Sequence, residues 1–410
     1  MEITCIKCNT VTRADVDFEV TQFACGHCKS LIRITDSGKE EFIRTYAYKP
    51  TFPFALKIGQ KGTLEGADYV VTGIIVKKID SVYFWREYIL TTKTGEKAFL
   101  SETDGHWIFL KEAEEKVDVA GTPMYIDYGG MEFKLYEYED TQLAYAEGFF
   151  DYELPPGKQD MVEYINPPYI VSVEKQKGIQ EAFYGHHISK GTVKKAFAAT
   201  DMPYRSGVGI VRPFAIDLRM MVIIFSLFSI LILTSHMFIY GSRKQQNVLN
   251  QTLSFAEYSG KDFVSAPFTL EGGSAPLKVT VNSAVDNSWA SVQVGLVNEV
   301  TNEEVYSGQD VEYYHGNEGG ENWSEGSTGE SFYMCGVPAG KYHLVITPNK
   351  PPEDLTNTGM QITATWNAPL KRNVFIPILI MGILCVATYY LRLQYERRRW
   401  ADSNYSPYDN

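Results

Sequence analysis

The chain has 410 residues, 44% of them hydrophobic and 21% charged, with a net charge of −12 and six cysteines. That length exceeds one compact core and calls for two or three domains, while the composition excludes a wholly disordered or collagen-like chain. The acidic balance argues against a nucleic-acid binder, which carries a basic face, and six cysteines are too few for a disulfide scaffold of this size.

The first 45 residues carry two CxxC pairs, Cys5-Ile-Lys-Cys8 and Cys25-Gly-His-Cys28, separated by sixteen residues. This spacing is that of a zinc ribbon: four thiolates close a tetrahedral shell about one ion and leave no position for substrate water. Zinc is the expected cofactor, with iron as the other metal that four cysteines accept and a CxxC redox pair as the alternative chemistry. Gly26 is expected to permit a tight knuckle turn, His27 lies between two ligands, and short strands over Val11–Val20 and Ser30–Thr35 should flank the knuckles. A thiolate site needs a reducing compartment, which places this end in the cytoplasm. Lys7, Arg13, Lys29 and Arg33 form too thin a basic surface for nucleic acid.

Pro50-Thr-Phe-Pro53 reads as a linker to a β-rich domain over 55–200. Strands are expected at Tyr69–Val76, Tyr83–Leu90, Ala98–Leu100, Trp107–Leu110, Met131–Tyr138, Leu143–Tyr152 and Tyr169–Lys175, with a turn at Thr103-Asp-Gly105 and one short helix over Thr192–Ala199. An antiparallel sandwich or barrel fits such a run. Trp85, Tyr88 and Trp107 are candidates to line a ligand groove, although core packing is the simpler role for such rings. His106, His186 and His187, with Glu87, Glu102, Glu147 and Glu174, are the titratable candidates. No GxSxG, HExxH or phosphate-loop pattern joins them, and adjacent His186 and His187 on a strand would face opposite sides.

Leu56-Lys-Ile-Gly59, Gly66-Ala-Asp-Tyr69-Val-Val-Thr-Gly73, Trp85-Arg-Glu-Tyr88-Ile-Leu90, Phe99-Leu100-Ser-Glu and Gly105-His-Trp107 resemble the bacterial family known as domain of unknown function 4178. Ala146-Glu-Gly148-Phe, Pro167-Pro168, Val173-Glu174 and Phe183-Tyr-Gly185 extend the resemblance over about 55–197. The resemblance implies a β-rich domain of a bacterial membrane protein, often near a zinc ribbon, in the company of membrane-stress or polyamine-related protein partners. It implies no catalytic residue.

Met220 to Tyr240 is 21 residues without Asp, Glu, Lys or Arg, and as a helix spans about 30 Å, the thickness of a bilayer's hydrocarbon core. A second apolar stretch, Val374 to Leu391, tolerates Pro377 and Gly382 as membrane helices do. Residues 1–30 have no apolar signal region, so the first span is expected to direct its own insertion. Arg205, Arg212 and Arg219 precede the first span and Arg243 and Lys244 follow it; Lys371 and Arg372 precede the second, and four arginines in the 392–410 tail follow it. That balance favours an inner-membrane, multi-pass protein with both termini cytoplasmic.

Between the spans, 251–370 has fifteen acidic residues and four lysines, and turn residues separate eight expected strands from Val264 to Trp366, as in an extracytoplasmic β-sandwich. The stretch Tyr313 to Gly326 is expected to be a solvated acidic loop. Its Glu318, Glu321, Asn322 and Glu325 offer oxygens to calcium, and Trp323 with Tyr313 could stack on a sugar. Cys335 is expected at a buried strand centre.

The fold class is therefore multi-domain and mainly β: a ribbon and β-rich domain inside, two transmembrane helices, and a sandwich outside. The corresponding function is a non-enzymatic membrane scaffold or envelope-state sensor, contacting lipid and protein partners and open to homo-oligomerisation. The alternative is an enzyme with its site around Trp85, His106 and Glu147.

Overall fold

The structure is a computed structural model that describes residues 1–35, 37–49, 53–80, 82–176, 178–241 and 244–408. The expected linker residues Pro50–Phe52 and the charge at Arg243 lie outside the described residues. The protein is mainly β with two long apolar helices. It divides into two compact units: Met1–Asp217 together with Thr388–Asn410, and Leu218–Ala387.

In the first unit a hairpin of β1 (Glu2–Thr4) and β2 (Val11–Arg13) precedes β3 (Gln22–Ala24), β4 (Ser30–Ile34) and β5 (Glu40–Thr45). Then come β6 (Lys61–Leu64), β7 (Ala67–Ile79), β8 (Tyr83–Thr91), β9 (Lys97–Thr103), β10 (His106–Glu112), β11 (Tyr125–Tyr128), β12 (Met131–Phe150), β13 (Lys158–Asn166), β14 (Tyr169–Gln176), β15 (Ile179–Ile188) and helix α1 (Lys190–Phe197). The 20-residue β12 pairs with β13 on one side and β7 on the other, so that β7, β8, β9, β10, β15, β14, β13 and β12 close an eight-stranded antiparallel barrel. The ribbon joins the same strand: Ala24 and Phe23 of β3 pair with Gly148 and Phe149 of β12. Gly148 sits where three strands meet. Its φ is +111°, and a Cβ there would lie 2.3 Å from the Thr72 carbonyl oxygen, so only glycine fits.

Side chains alternate across each strand, so the barrel has a lumen face and an outer face. The outer face is apolar and covered: Leu56 and the α1 residues Val193 and Phe197 pack on Tyr69, Tyr88, Leu100 and Trp107. On another side Val117, Val119 and Ile126 pack on Val162, Tyr164 and Val173. The lumen face carries charged side chains as well as apolar ones such as Leu110, Ile165 and Ile170. Lys77 of β7 pairs with Glu174 of β14, a strand that does not neighbour β7, so this contact crosses the lumen.

The second unit begins with α2 (Leu218–Gly241). Its sandwich holds β16 (Gln246–Ser254), α3 (Phe255–Tyr258), β17 (Phe263–Val264), β18 (Phe268–Leu270), β19 (Ala275–Ser283), β20 (Ser288–Asn298), β21 (Glu304–Glu318), β22 (Glu321–Gly326), β23 (Gly329–Val337), β24 (Gly340–Asn349) and β25 (Gly359–Trp366). A four-stranded sheet, β16-β25-β19-β23, and a six-stranded sheet built on β17-β24-β20-β21-β22 share one apolar core that includes Leu277, Val294, Leu344 and Trp366. Helix α4 (Arg372–Arg399) follows. α2 and α4 have mean hydropathy 2.3 in their most apolar windows and are long and apolar enough to span a membrane.

Two expectations change here. Cys335 is exposed, because β23 bulges against β19: Val337 pairs with Ala275 and Met334 with Leu277, leaving Cys335 and Gly336 opposite one residue and turning the thiol outward. The 392–410 segment is not a free basic tail. α4 runs to Arg399, and the residues after it fold onto the barrel. The Arg399 side chain is fully buried; its Nη1 donates to the Gly209 and Ile210 carbonyls at 3.0 and 2.5 Å, and its Nη2 to the Arg212 carbonyl at 2.6 Å. Its Nε donates to Glu396 at 2.9 Å, and the Tyr136 hydroxyl donates to the Arg399 carbonyl at 3.0 Å. The Trp400 ring lies tilted against Tyr136, 5.2 Å between centres, and packs among the lumen-facing Leu110, Ile165 and Ile170, while Ser403 donates to the Tyr136 carbonyl.

Removing the guanidinium leaves buried carbonyls without a donor, at about 1–3 kcal/mol each. Arg399→Ala is therefore expected to lower the stability of the first unit by roughly 3 kcal/mol or more. Denaturant unfolding of the detergent-extracted protein, followed by tryptophan fluorescence, measures this. Arg399→Lys, which lacks the planar fork, should recover only part of the loss.

Candidate metal centre and charged barrel lumen

Each CxxC pair forms the same knuckle. In the first, the Asn9 amide donates to the Cys5 carbonyl at 2.8 Å and the Cys5 amide to the Thr10 carbonyl at 3.0 Å; in the second, Lys29 and Cys25 repeat both bonds at 2.8 and 3.0 Å. Asn9 and Lys29, directly after the second cysteine of each pair, take φ of 58° and 60°. The left-handed turn thus falls there rather than at Gly26. Gly26 matters for another reason: a Cβ there would lie 2.4 Å from Oε1 of Glu147 on β12, so any larger residue has to move that carboxylate. That carboxylate also accepts from the Tyr145 hydroxyl at 2.7 Å.

The four sulfurs converge. Cys5 and Cys28 Sγ stand 3.5 Å apart, Cys8 and Cys25 Sγ 3.6 Å, and all four lie within 4.8 Å of one another. A tetrahedral shell with metal–sulfur bonds of about 2.3 Å has its sulfurs about 3.8 Å apart, so this cluster has the size to hold one metal ion. All four thiols are free, which departs from an oxidised CxxC pair. Thr10 Oγ1 and Ser30 Oγ stand 3.3 and 3.4 Å from Cys8 and Cys28 Sγ, and the Lys7 amide donates to Cys5 Sγ at 3.4 Å. The Thr10 hydroxyl and amide pull the Cys8 thiol down to about 5, whereas burial pushes Cys25 up to about 12 and raises Cys5. A cation among the four sulfurs would offset the burial of Cys5 and Cys25.

The lumen gathers a second set of ionisable groups, of which the sequence singled out Glu87 and Glu174 but not Lys77 or Glu163. Lys77 Nζ contacts Glu87 Oε2 at 3.1 Å as well as Glu174, and Trp85 Nε1 donates to Glu87 Oε1 at 2.8 Å. Burial works against the Lys77 ammonium, but Glu174 and Glu87 outweigh it and hold it protonated. Glu163 of β13 joins this face with no ion pair or hydrogen bond among the described residues. Burial pushes its carboxyl up to about 7, and the neighbouring Glu137, Glu87 and Glu174 push the same way against Lys77. One ammonium thus faces Glu87 and Glu174, with Glu163 and its cross-strand neighbour Glu137 beyond them, and Glu163 holds its proton near neutrality.

The other expected sites are not assembled. Trp85 faces the lumen, whereas Tyr88, three residues on, faces outward. Tyr88 stacks on Trp107 at 5.6 Å in the covered core and accepts from the Ala55 amide at 3.0 Å, so these rings form no shared groove. The period of two along β8 separates them. Trp85, His106 and Glu147 are apart as well: His106 Nε2 meets the Ser206 carbonyl at 2.9 Å, and Glu147 lies against the ribbon. Glu102 pairs with Arg86 at 2.8 Å. His186 lies 3.6 Å from Glu65, while burial, followed by Arg212 and His106, depresses His187 to about 4. The 313–326 stretch is not a loop but the hairpin of β21 and β22, turning at Gly319 and Gly320 with φ of 60° and 91°. Its cross-strand register puts Glu318, Glu321, Trp323 and Glu325 on one exposed face. Asn322 bonds Asn317 at 2.8 Å on the other, and Tyr313 packs toward the core, away from Trp323. Among the described residues, the four cysteines are the one cluster of metal-ligating side chains within ligand distance.

Residues 57–190 match the family described as domain of unknown function (DUF4178). That domain comprises the whole barrel and stops at the first residue of α1. No curated protein matches the chain. Among solved structures it is similar to PNGF-II, with a TM-score of 0.20 at 9% identity over 72% of this chain and 66% of that one. It is also similar to the insecticidal delta-endotoxin Cry8Ea1 from Bacillus thuringiensis, with a TM-score of 0.16 at 5% identity, covering 85% of this chain and 51% of that one. A third is the infectious bursal disease virus Gt strain structure, with a TM-score of 0.18 at 8% identity, covering 87% and 73%. The chain spans about two thirds of the first and half of the second, and at these scores none carries an argument about fold or activity.

Two outcomes are expected from these sites. Gly26→Ala forces the knuckle against Glu147 and should weaken metal retention in a chelator competition by about tenfold or more, with Gly26→Ala/Glu147→Ala regaining most of it. Glu163 binds its proton more tightly when folded. The stability it contributes is complete below about 4.5, the ordinary glutamate value, and is lost as pH rises to about 7. Melting temperature should fall across that window in the natural protein relative to Glu163→Gln, which has no carboxyl to titrate there.

Proposed function

We propose that the protein is a non-enzymatic, two-span membrane scaffold that senses the state of the envelope: a sandwich outside, and inside a barrel and ribbon that recruit a protein partner. The observation that carries this reading is the seating of Arg399 and Trp400 on the barrel. The chain leaves the first unit at Asp217 and re-enters it at Thr388, so α2 departs from the same folded body to which α4 returns. If both cross, 244–371 lies on the far side of the bilayer. A four-thiolate metal site needs reducing conditions, which favours the reducing side for the first unit, and the arginines flanking the helices favour the same side. Zinc is the metal we assign to the four cysteines, in a structural role, since four thiolates fill its shell.

A load or ligand on the outer sandwich would act on α4. The end of α4 is held by the 209–212 carbonyls and Tyr136, at the mouth of a barrel whose lumen charges are finely balanced. The enzyme reading has no assembled constellation to support it, because Trp85, His106 and Glu147 face different surroundings.

Cys335 offers a natural reporter of topology. An impermeant maleimide applied to intact cells should label Cys335, with the signal lost in Cys335→Ser, and should spare Cys5 and Cys8 even after chelator treatment. Labelling of Cys5 or Cys8 with Cys335 spared contradicts the proposal.

A further inference from the structure

The segments that border the apolar helices on the first unit's side, 201–219 and 388–408, hold seven of the chain's thirteen arginines and none of its twenty-five lysines. Elsewhere lysines outnumber arginines twenty-five to six. Positive charge next to a membrane does not require this, because lysine supplies the same charge. Arginine adds a planar fork of donors that meets phosphate oxygens two at a time.

Arg399 is occupied by the carbonyls it holds. Of the other six, Arg205, Arg212, Arg392, Arg397 and Arg398 form no ion pair among the described residues. Four of these are exposed and Arg212 is half-buried. The two segments adjoin, since the Arg212 carbonyl accepts from Arg399 Nη2 at 2.6 Å and from the Tyr395 hydroxyl at 3.1 Å. Tyr204, 93% exposed, stands beside Arg205 with the Lys190 ammonium 5.3 Å from its ring centre, the kind of amphipathic ring found at headgroup level.

We propose that this arginine collar binds the phosphodiester headgroups of anionic phospholipids in the leaflet that faces the first unit. The inference rests on the membrane reading above and adds to it a lipid class and the residues that select it. An anionic headgroup clamped between Arg205 or Arg212 and the arginines of α4 would tie the end of α4 to the bilayer, so that lipid composition adjusts the clasp.

The test uses the full-length protein reconstituted in nanodiscs of phosphatidylcholine with a minor share of phosphatidylglycerol. Lipid retained after detergent re-extraction is counted by native mass spectrometry. The natural protein should enrich phosphatidylglycerol several-fold over its bulk share. Arg392→Gln/Arg397→Gln/Arg398→Gln should lose that enrichment, and the corresponding triple lysine variant should lose most of it despite its equal charge. All three positions are exposed, so an unchanged melting temperature confirms folding. Equal enrichment by the natural protein and the glutamine variant overturns the proposal. Displacement of the lipid by millimolar inorganic phosphate also overturns it, by making free phosphate the ligand. Full retention by the lysine variant refutes the arginine fork. Cys335 labelling reports separately on the membrane reading, and a chain that never enters the nanodisc refutes both.

Discussion

The architecture depends on one guanidinium. Arg399 ends a 28-residue helix whose other end lies in the second unit, and it is caught by carbonyls of 209–212, the segment that leads into α2. A buried charge without partners costs several kcal/mol, so this side chain is stable only while that segment keeps its shape. Glu396 supplies the one opposing charge, and Tyr136 ties the same clasp to β12. Departure from the first unit and return to it are therefore fastened at a single place.

β12 carries the rest. It closes the barrel against β7 and β13, takes the ribbon's β3 at Gly148, backs the second cysteine knuckle with Glu147, and presents Tyr136 to Trp400. Cysteine cluster, lumen and clasp are thus three stations on one strand. The barrel's outer face is covered by α1 and by 113–128, while its lumen holds, beside apolar residues such as Leu110, Ile165 and Ile170, the ammonium of Lys77 among glutamates. Such an interior specifies register tightly, because a slip of one residue would drive these charges into the covered outer face.

The ribbon spacing, the apolar helices, the Asp104-Gly105 turn and the short helix near 190–197 were legible in the sequence, since each follows from local chemistry. What local chemistry could not show was closure. Met131–Tyr138 and Leu143–Tyr152 read as two strands because Glu139-Asp-Thr-Gln142 looks like a break, yet those residues pair with 158–161 in one continuous ladder. β13 and β15 were missed because lumen charges such as Glu163 interrupt the alternation that marks a strand. The hairpin at 313–326 hid behind its glycines, two of which form its turn. The clasp was invisible for the plainest reason: Arg397, Arg398 and Arg399 look alike in sequence, and only packing distinguishes the one that is buried.

The most direct measurement is a disulfide bridge across the clasp. Phe214 and Tyr395, whose rings are 5.4 Å apart, are replaced by cysteine in a background lacking Cys335 and Cys385, and membranes are treated with a mild oxidant. The account predicts rapid, nearly complete intramolecular bridging, seen as a mobility shift on non-reducing gels. Bridging should slow sharply when Arg399→Ala is added. Absence of the bridge in the otherwise intact protein, or bridging indifferent to Arg399, contradicts the claim that the two apolar helices are fastened to one body.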